Sequence, residues 1–456
     1  MLLQMKRRGF VPNVRTCATM MSGYTAVKDW EGFSKQLESV HSVYAQLKLH
    51  LEKHHNLVHN TASASLVLYP IALYISILGK AGEYQKAFDV FHELDADGPL
   101  APHSKVYSSL LCILADRVGS PKTKPEVIAQ LVSDAKYAWR RHMRSLERGL
   151  QDHIEPRSVD AIVRVLSRGE PQDHELMFDI LRDICDLPRP GEDQPPPPSS
   201  SSSPPLPKVE PTTWILGAAL DGCIATGHPD KAVHYAQSVM SSRELRAILL
   251  PWHLPKLLYA HILLAKGGST SSARGKNAAE WVEWMVAHGQ GHNNSNSNSN
   301  EKLAPPDKHT IASALELCYR CEDAESALRI ARAVLYQGPI RGSMPVRAWV
   351  YLLKLAIVAP WEEKRRCLEL LNAFGSVLDV WESTSAIRRL EPLEKKAHVS
   401  LALCIVQVLR TVSPSLPPDH DGAGRPSVDA DLGQYKPEVW SDLRRRAESF
   451  LENNHK

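Results

Sequence analysis

The chain of 456 residues has few cysteines, little net charge and no long apolar run. Each shortage excludes a class of protein. No stretch approaches the roughly 18 consecutive apolar residues of a membrane helix, so no membrane span is expected. Eight cysteines scattered along the chain form no disulfide framework and fit a reducing compartment. Basic and acidic residues number 54 and 51, for a net charge of +3. Binding to nucleic acid would therefore have to come from a local patch, not from the chain as a whole. Signatures of common catalytic chemistry are missing too. There is no G-x-x-x-x-G-K-[ST], no G-x-G-x-x-G, no H-E-x-x-H and no G-x-S-x-G. His92-Glu93 and His174-Glu175 lack the second histidine. Cys318-x-x-Cys321, even with His309 recruited, falls short of the four ligands of a structural zinc site and reads as core packing. His50, His54, His55 and His59 read as a polar insertion. The expectation is a protein that binds rather than catalyses, with no cofactor and no metal.

What the chain does have is helical periodicity around turns. Ala87, Val90, Phe91 and Leu94 fall at i, i+3, i+4 and i+7, one face of a helix. Gly82 before them permits a tight turn, and Ala87 is small enough for two helices to cross closely. Prolines placed to open a helix after a loop recur at Pro12, Pro70, Pro102, Pro156, Pro211, Pro255, Pro306 and Pro345. A helical hairpin cannot bury its apolar face alone, so successive hairpins must stack. The expected fold is all-α: a right-handed α-solenoid of helix-turn-helix units, interrupted by disordered insertions. Residues 1–187 read as N-terminal repeats and 188–211, saturated with proline and serine, as a flexible linker. Residues 212–412 read as C-terminal repeats with a low-complexity insertion at 292–301, and 413–456 as a linker and terminal helix. Residues 1–28 contain Lys6, Arg7, Arg8, Arg15 and Lys28 but no acid, as a transit peptide does. Gly9 and Pro12 favour the other reading, a repeat loop, with any targeting segment lying upstream of Met1.

Gly82, Ala87, Phe91, Leu94, Pro102, Tyr107, Leu110 and Leu111 together resemble the pentatricopeptide repeat family. Gly227 with Ala232 repeats the pattern. Ala327 repeats its small residue, with Glu322 standing where the turn glycine belongs. The resemblance covers 1–45, 69–115, 211–240 and 306–336; the tetratricopeptide family shares the hairpin geometry. It implies a protein of the mitochondrial matrix that binds single-stranded RNA and acts in transcript stability, processing or translation. It also implies that the first helix of each hairpin lines a groove, with base-reading positions in that helix and at the end of the repeat. Carried onto this chain, these positions are Ala18 preceded by Asn13, Ala72 with His103, Ser108, Gly217, and Ala312 preceded by Asp307. Asn13, Ser108 and Asp307 can hydrogen-bond a base edge; the alanines and the glycine cannot. That pattern points to a groove recognised by charge and shape. The alternatives are a scaffold contacting mitochondrial ribosomal proteins and ribosomal RNA, or a tetratricopeptide-like adaptor.

The strongest basic cluster is Lys136, Arg140, Arg141, Arg144 and Arg148, interleaved with Tyr137 and Trp139. Cations there would neutralise phosphates and the rings would stack on unpaired bases. The competing reading is a solvated helix face with Trp139 turned into the core. Lys364-Arg365-Arg366 and Arg444-Arg445-Arg446 read as ordinary solvent-facing charge.

Overall fold

A computed structural model describes residues 5–53, 61–95, 101–189, 207–268, 272–289, 306–337, 344–360, 391–412 and 437–454, less positions 6, 11, 28 and 152, with isolated positions between 363 and 381. Residues 190–206 of the insertion expected at 188–211, the one expected at 292–301, the segment 413–436, and His54, His55 and His59 lie outside the described residues. Those described hold seventeen α-helices and no strand. None of these helices is long and apolar enough to cross a membrane. The chain divides into two compact units, Met1–Leu249 and Leu250–Lys456.

The first unit is five helical hairpins. Their first helices are α1 (Val14–Thr25), α3 (Thr61–Lys80), α5 (Ser104–Val118), α7 (Pro156–Leu166) and α9 (Thr213–Ala225). The second helices are α2 (Ser34–Lys53), α4 (Tyr84–His92), α6 (Pro125–Glu147), α8 (Pro171–Cys185) and α10 (Pro229–Ser241). Each first helix packs on the next, α1 on α3, α3 on α5, α5 on α7 and α7 on α9, and each second helix packs on its own partner. Successive first helices start farther apart than the ~34 residues of a tetratricopeptide unit. The α9–α10 hairpin belongs with those before the proline- and serine-rich stretch. Flanking that stretch, the Val209 N–H donates to the Ile184 carbonyl at 2.8 Å, and Lys208 pairs with Asp186 at 2.5 Å.

Apolar spacing explains the packing. Val159, Ile162, Val163 and Leu166 of α7 are fully buried, as i, i+3, i+4, i+7 positions should be. Burial of each such side chain stabilises by about 1.5–3 kcal/mol. Gly79 lets α3 come against α5, where a Cβ would meet the Ile113 side chain at 2.2 Å.

Seven of the eight prolines stand at or just before a helix start. Pro70 does not: it lies inside α3, buried, with helix on both sides. The upstream Thr61–Tyr69 segment is itself helical. Pro70 therefore removes one hydrogen bond from a continuing helix instead of starting a new one.

The turns repeat more faithfully than the helices. Gly82 sits at φ +81° and Gly227 at +77°. After each, the next N–H reaches back five residues: Glu83 to the Leu78 carbonyl at 2.9 Å, His228 to that of Cys223 at 2.8 Å. This is the left-handed helix stop that glycine enters without penalty. Ala87 and Ala232, small where the helices cross, are fully buried.

In the second unit α11 (Leu254–Lys266) and α12 (Ser272–Gly289) form one hairpin, and α13 (Lys308–Arg320) and α14 (Ala324–Arg332) another. Then follow α15 (Val346–Val358), α16 (Pro392–Val412) and α17 (Pro437–Asn454). Here α11, α13, α15 and α16 pack in succession, and α17 packs on α16. Between α13 and α14 the same turn recurs with Glu322 at φ +53°. The Asp323 N–H donates to the Cys318 carbonyl at 3.0 Å, and Ala327 is fully buried.

The cysteines are packed into this framework. Cys17, Cys185, Cys223, Cys318, Cys367 and Cys404 are buried, and Cys112 and Cys321 half-buried, all as free thiols. Burial pushes the Cys185, Cys223 and Cys367 thiols up to about 12, and Cys318 well above its ordinary value.

Candidate nucleic-acid interface

The base-reading positions of the resemblance do not form a set of exposed hydrogen-bonding groups. Ala72, Ser108, Gly217 and Ala312 are buried and Ala18 is half-buried. Asn13, His103 and Asp307 are instead helix caps. The Asn13 Oδ1 accepts the Thr16 N–H and hydroxyl, both at 2.9 Å, and the Asp307 Oδ1 accepts those of Thr310 at 2.7 Å. Partial burial raises the Asp307 pKa, but the bonds from Thr310 outweigh it and hold the carboxyl below its usual range. The His103 Nδ1 accepts the Lys105 N–H at 3.4 Å. These polar groups serve the backbone donors left unpaired at helix starts.

The basic cluster lies on α6, a second helix, and on its C-cap Arg148, and separates into two kinds of side chain. Lys136 pairs with the buried Asp173 of α8 at 2.6 Å. Arg141 donates through Nη2 to the carbonyls of Leu94 and Asp95, at 2.8 and 3.0 Å, and lies 4.8 Å from the Phe91 ring centre. Both tie α6 to neighbouring hairpins, a structural task that sequence spacing alone does not show. Arg140, Arg144 and Arg148 are exposed. Arg141, Arg144, Arg148 and Tyr137 line a cleft of about 420 Å³ together with Asp95 and with Glu93, which pairs with Lys48 at 3.0 Å. Trp139 is buried, edge-on to His142, so it belongs to the core and not to a stacking platform. Of the other basic runs, Arg444 pairs with Glu448 at 3.0 Å and Arg446 with Asp442 at 2.7 Å, both within α17.

A second basic surface, missed in the sequence, runs along the starts of the first helices. Two residues past their caps Asn13, His103, Glu155 and Thr212 stand Arg15, Lys105, Arg157 and Trp214. All four are exposed, Trp214 by 66%. Tyr69 of α3, 39% exposed, joins them, preceding Gly82 by the same interval at which Trp214 precedes Gly227. Successive first helices pack on one another with a returning second helix between them, which puts the starts of α1, α5, α7 and α9 on one side; Tyr69, the ninth residue of α3, meets that side at Lys105. Lys105 Nζ is 5.4 Å from the Tyr69 ring centre, and Ser104 Oγ is 3.0 Å from His153 Nε2 just ahead of α7. In the second unit the corresponding exposed residues are His309 of α13 and Arg347 of α15, the latter 3.4 Å from Glu316.

At the starts of α1 and α5 the charge runs against helix electrostatics, whereas α7 and α13 carry an acid at the cap itself, Glu155 and Asp307. None of α1, α5, α7, α9, α13 and α15 has an acid in its first turn. Of the second helices, α6, α8, α10 and α14 do, with Glu126, Asp173, Asp230 and Glu325, while α2, α4 and α12 do not. The partial positive charge of a helix N-terminus favours acids there by about 0.3–1 kcal/mol each and disfavours cations. Below the first turn the same face is closer to neutral: Arg164 lies 3.4 Å from Asp116 and 3.9 Å from Asp160.

Neither a scan of protein-family models nor a search of curated proteins finds a match to this chain.

Proposed function

We propose that this is a non-catalytic, single-stranded-RNA-binding protein of the pentatricopeptide type, its hairpins stacked as a right-handed α-solenoid. It acts in mitochondrial RNA stability, processing or translation. The observation that carries the reading is the repeated placement of cations in the first turns of α1, α5 and α7, with no acid in any of them. An array of such ends costs stability unless an anion answers it. A phosphate backbone answers both the side chains and the helix N-termini. The mitochondrial setting rests on the resemblance carried by Gly82, Ala87, Phe91 and Pro102.

Protein partners are the second reading. Tyr336, Val358 and Leu393 of the second unit are 63%, 68% and 79% exposed, apolar side chains that a protein partner would cover and a phosphate backbone would not.

The test is binding of the full chain to mixed-sequence single-stranded RNA at two salt concentrations. A variant with Arg15, Lys105 and Arg157 all changed to Gln is measured in parallel. Salt-sensitive binding that weakens in the variant supports the reading. Binding no better than that of a neutral control protein refutes it and leaves the protein scaffold in the lead.

A further inference from the structure

The edge of the first unit holds rings as well as cations, and the order in which they occur says how a strand would be recognised. Taken helix by helix from α1 to α9, the exposed residues are Arg15, Lys105, Arg157 and Trp214 in the first turns of α1, α5, α7 and α9, and Tyr69 midway along α3, against Lys105. Between the rings lie positively charged side chains. Deeper in the same helices, where a side chain would have to meet a base edge to distinguish it, stand Ala72, Ser108 and Gly217, all buried. Alanine and glycine carry no group that hydrogen-bonds a base. Ser108 has its hydroxyl beside the Cys112 thiol.

Resting on the RNA reading above, we infer that Arg15, Tyr69, Lys105, Arg157 and Trp214 form one sequence-tolerant track for a single RNA strand. The cations take phosphates, and the Tyr69 and Trp214 rings stack on unpaired bases. Every base has a π-face, so stacking of this kind does not discriminate among sequences, and backbone neutralisation does not either. Lys105, already against the Tyr69 ring at 5.4 Å, is placed to hold the phosphate next to the base that Tyr69 covers. The track ends where the charge does: Arg164 is offset by Asp116 and Asp160 on the lower part of the face.

The experiment compares the unaltered full chain with two variants on oligo-U, oligo-A and oligo-C of one length, at several salt concentrations. One variant changes Tyr69 and Trp214 to Ser. The other changes Arg15, Lys105 and Arg157 to Gln. All five side chains are exposed, and matching thermal melts show that the variants fold. The unaltered chain should bind the three oligomers within about tenfold of one another. The ring variant should lose at least about tenfold on each while keeping its salt slope. The cation variant should lower the slope of log K against log salt by about 2, from ~0.7 per phosphate contact. A hundredfold preference for one oligomer overturns the inference. So does a ring variant that binds within twofold of the unaltered chain. No binding by the unaltered chain sinks the RNA reading itself, and this inference with it.

Discussion

Changing Glu322 to Gly should stabilise the second unit, because Glu322 occupies a turn that the chain elsewhere fills with glycine. Its φ of +53° is left-handed, as are those of Gly82 and Gly227. A side chain in that region costs roughly 1–2 kcal/mol through contact of Cβ with the following carbonyl. Against this, glycine loses about 0.5–1 kcal/mol more backbone entropy on folding. The Glu322 side chain is exposed, so its removal opens no cavity. The turn has its own support. Its Asp323 N–H donates to Cys318 at 3.0 Å, and Asp323 caps α14 by accepting the Ser326 N–H at 3.0 Å. The net gain is about 0.5–1 kcal/mol, which in a unit this size raises the melting midpoint by about 1–4 °C. Thermal unfolding followed by far-UV circular dichroism reads it. The reciprocal change, Gly227→Glu, should destabilise the first unit by about the same amount. A neutral or destabilising E322G would show that the three turns are not equivalent, and the repeat argument built on them would fail.

Lys136→Met leaves the Asp173 carboxylate buried with only the Glu170 N–H, at 2.9 Å, to satisfy it. A loss of about 1–2 kcal/mol is expected in urea unfolding, and no change there would show that the pair is dispensable. Arg141→Ala removes two hydrogen bonds and a ring contact and should cost about 1–3 kcal/mol. Arg140→Ala, at a neighbouring but exposed position, should cost almost nothing; equal losses would refute the division of the α6 cluster. His142 is fully buried and stacked on Tyr107 at 4.4 Å; burial lowers its pKa to about 4, against a smaller upward pull from Gln151. Because the folded value lies below the ~6.5 of the unfolded chain, the stability it contributes is full above that pH. It is lost as pH falls toward 4, by up to about 3 kcal/mol. His142→Phe should flatten the stability-against-pH curve across this window, and an unchanged curve would contradict the assignment.

Much of the fold was legible because its rules are local. Gly82 with Ala87, Gly227 with Ala232, and Ala327 after a turn lacking glycine are short-range patterns, and the structure places all three alike. Pro70 misled because one proline does not break a helix whose flanking residues are held on both sides. The α6 cluster was legible as charge but not as contact. The partners of Arg141 are carbonyls on another hairpin, and carbonyls carry no sequence signature. The edge formed by Tyr69 and Trp214 escaped because the resemblance directs attention one turn deeper in the helix. The signal was present: both aromatics stand at one interval ahead of a left-handed glycine.

The buried thiols give the chain a built-in set of reporters. Cys17, Cys185, Cys223, Cys318 and Cys404 sit in α1, α8, α9, α13 and α16, distributed along both units. Each is shielded from reagents and held protonated by its surroundings, so alkylation must wait for the surrounding segment to open. The order in which these five sites become modified under native conditions would rank the local opening of the helices without any engineered label. Packing limited to neighbouring elements predicts that the rank changes near a destabilising substitution and stays fixed far from it.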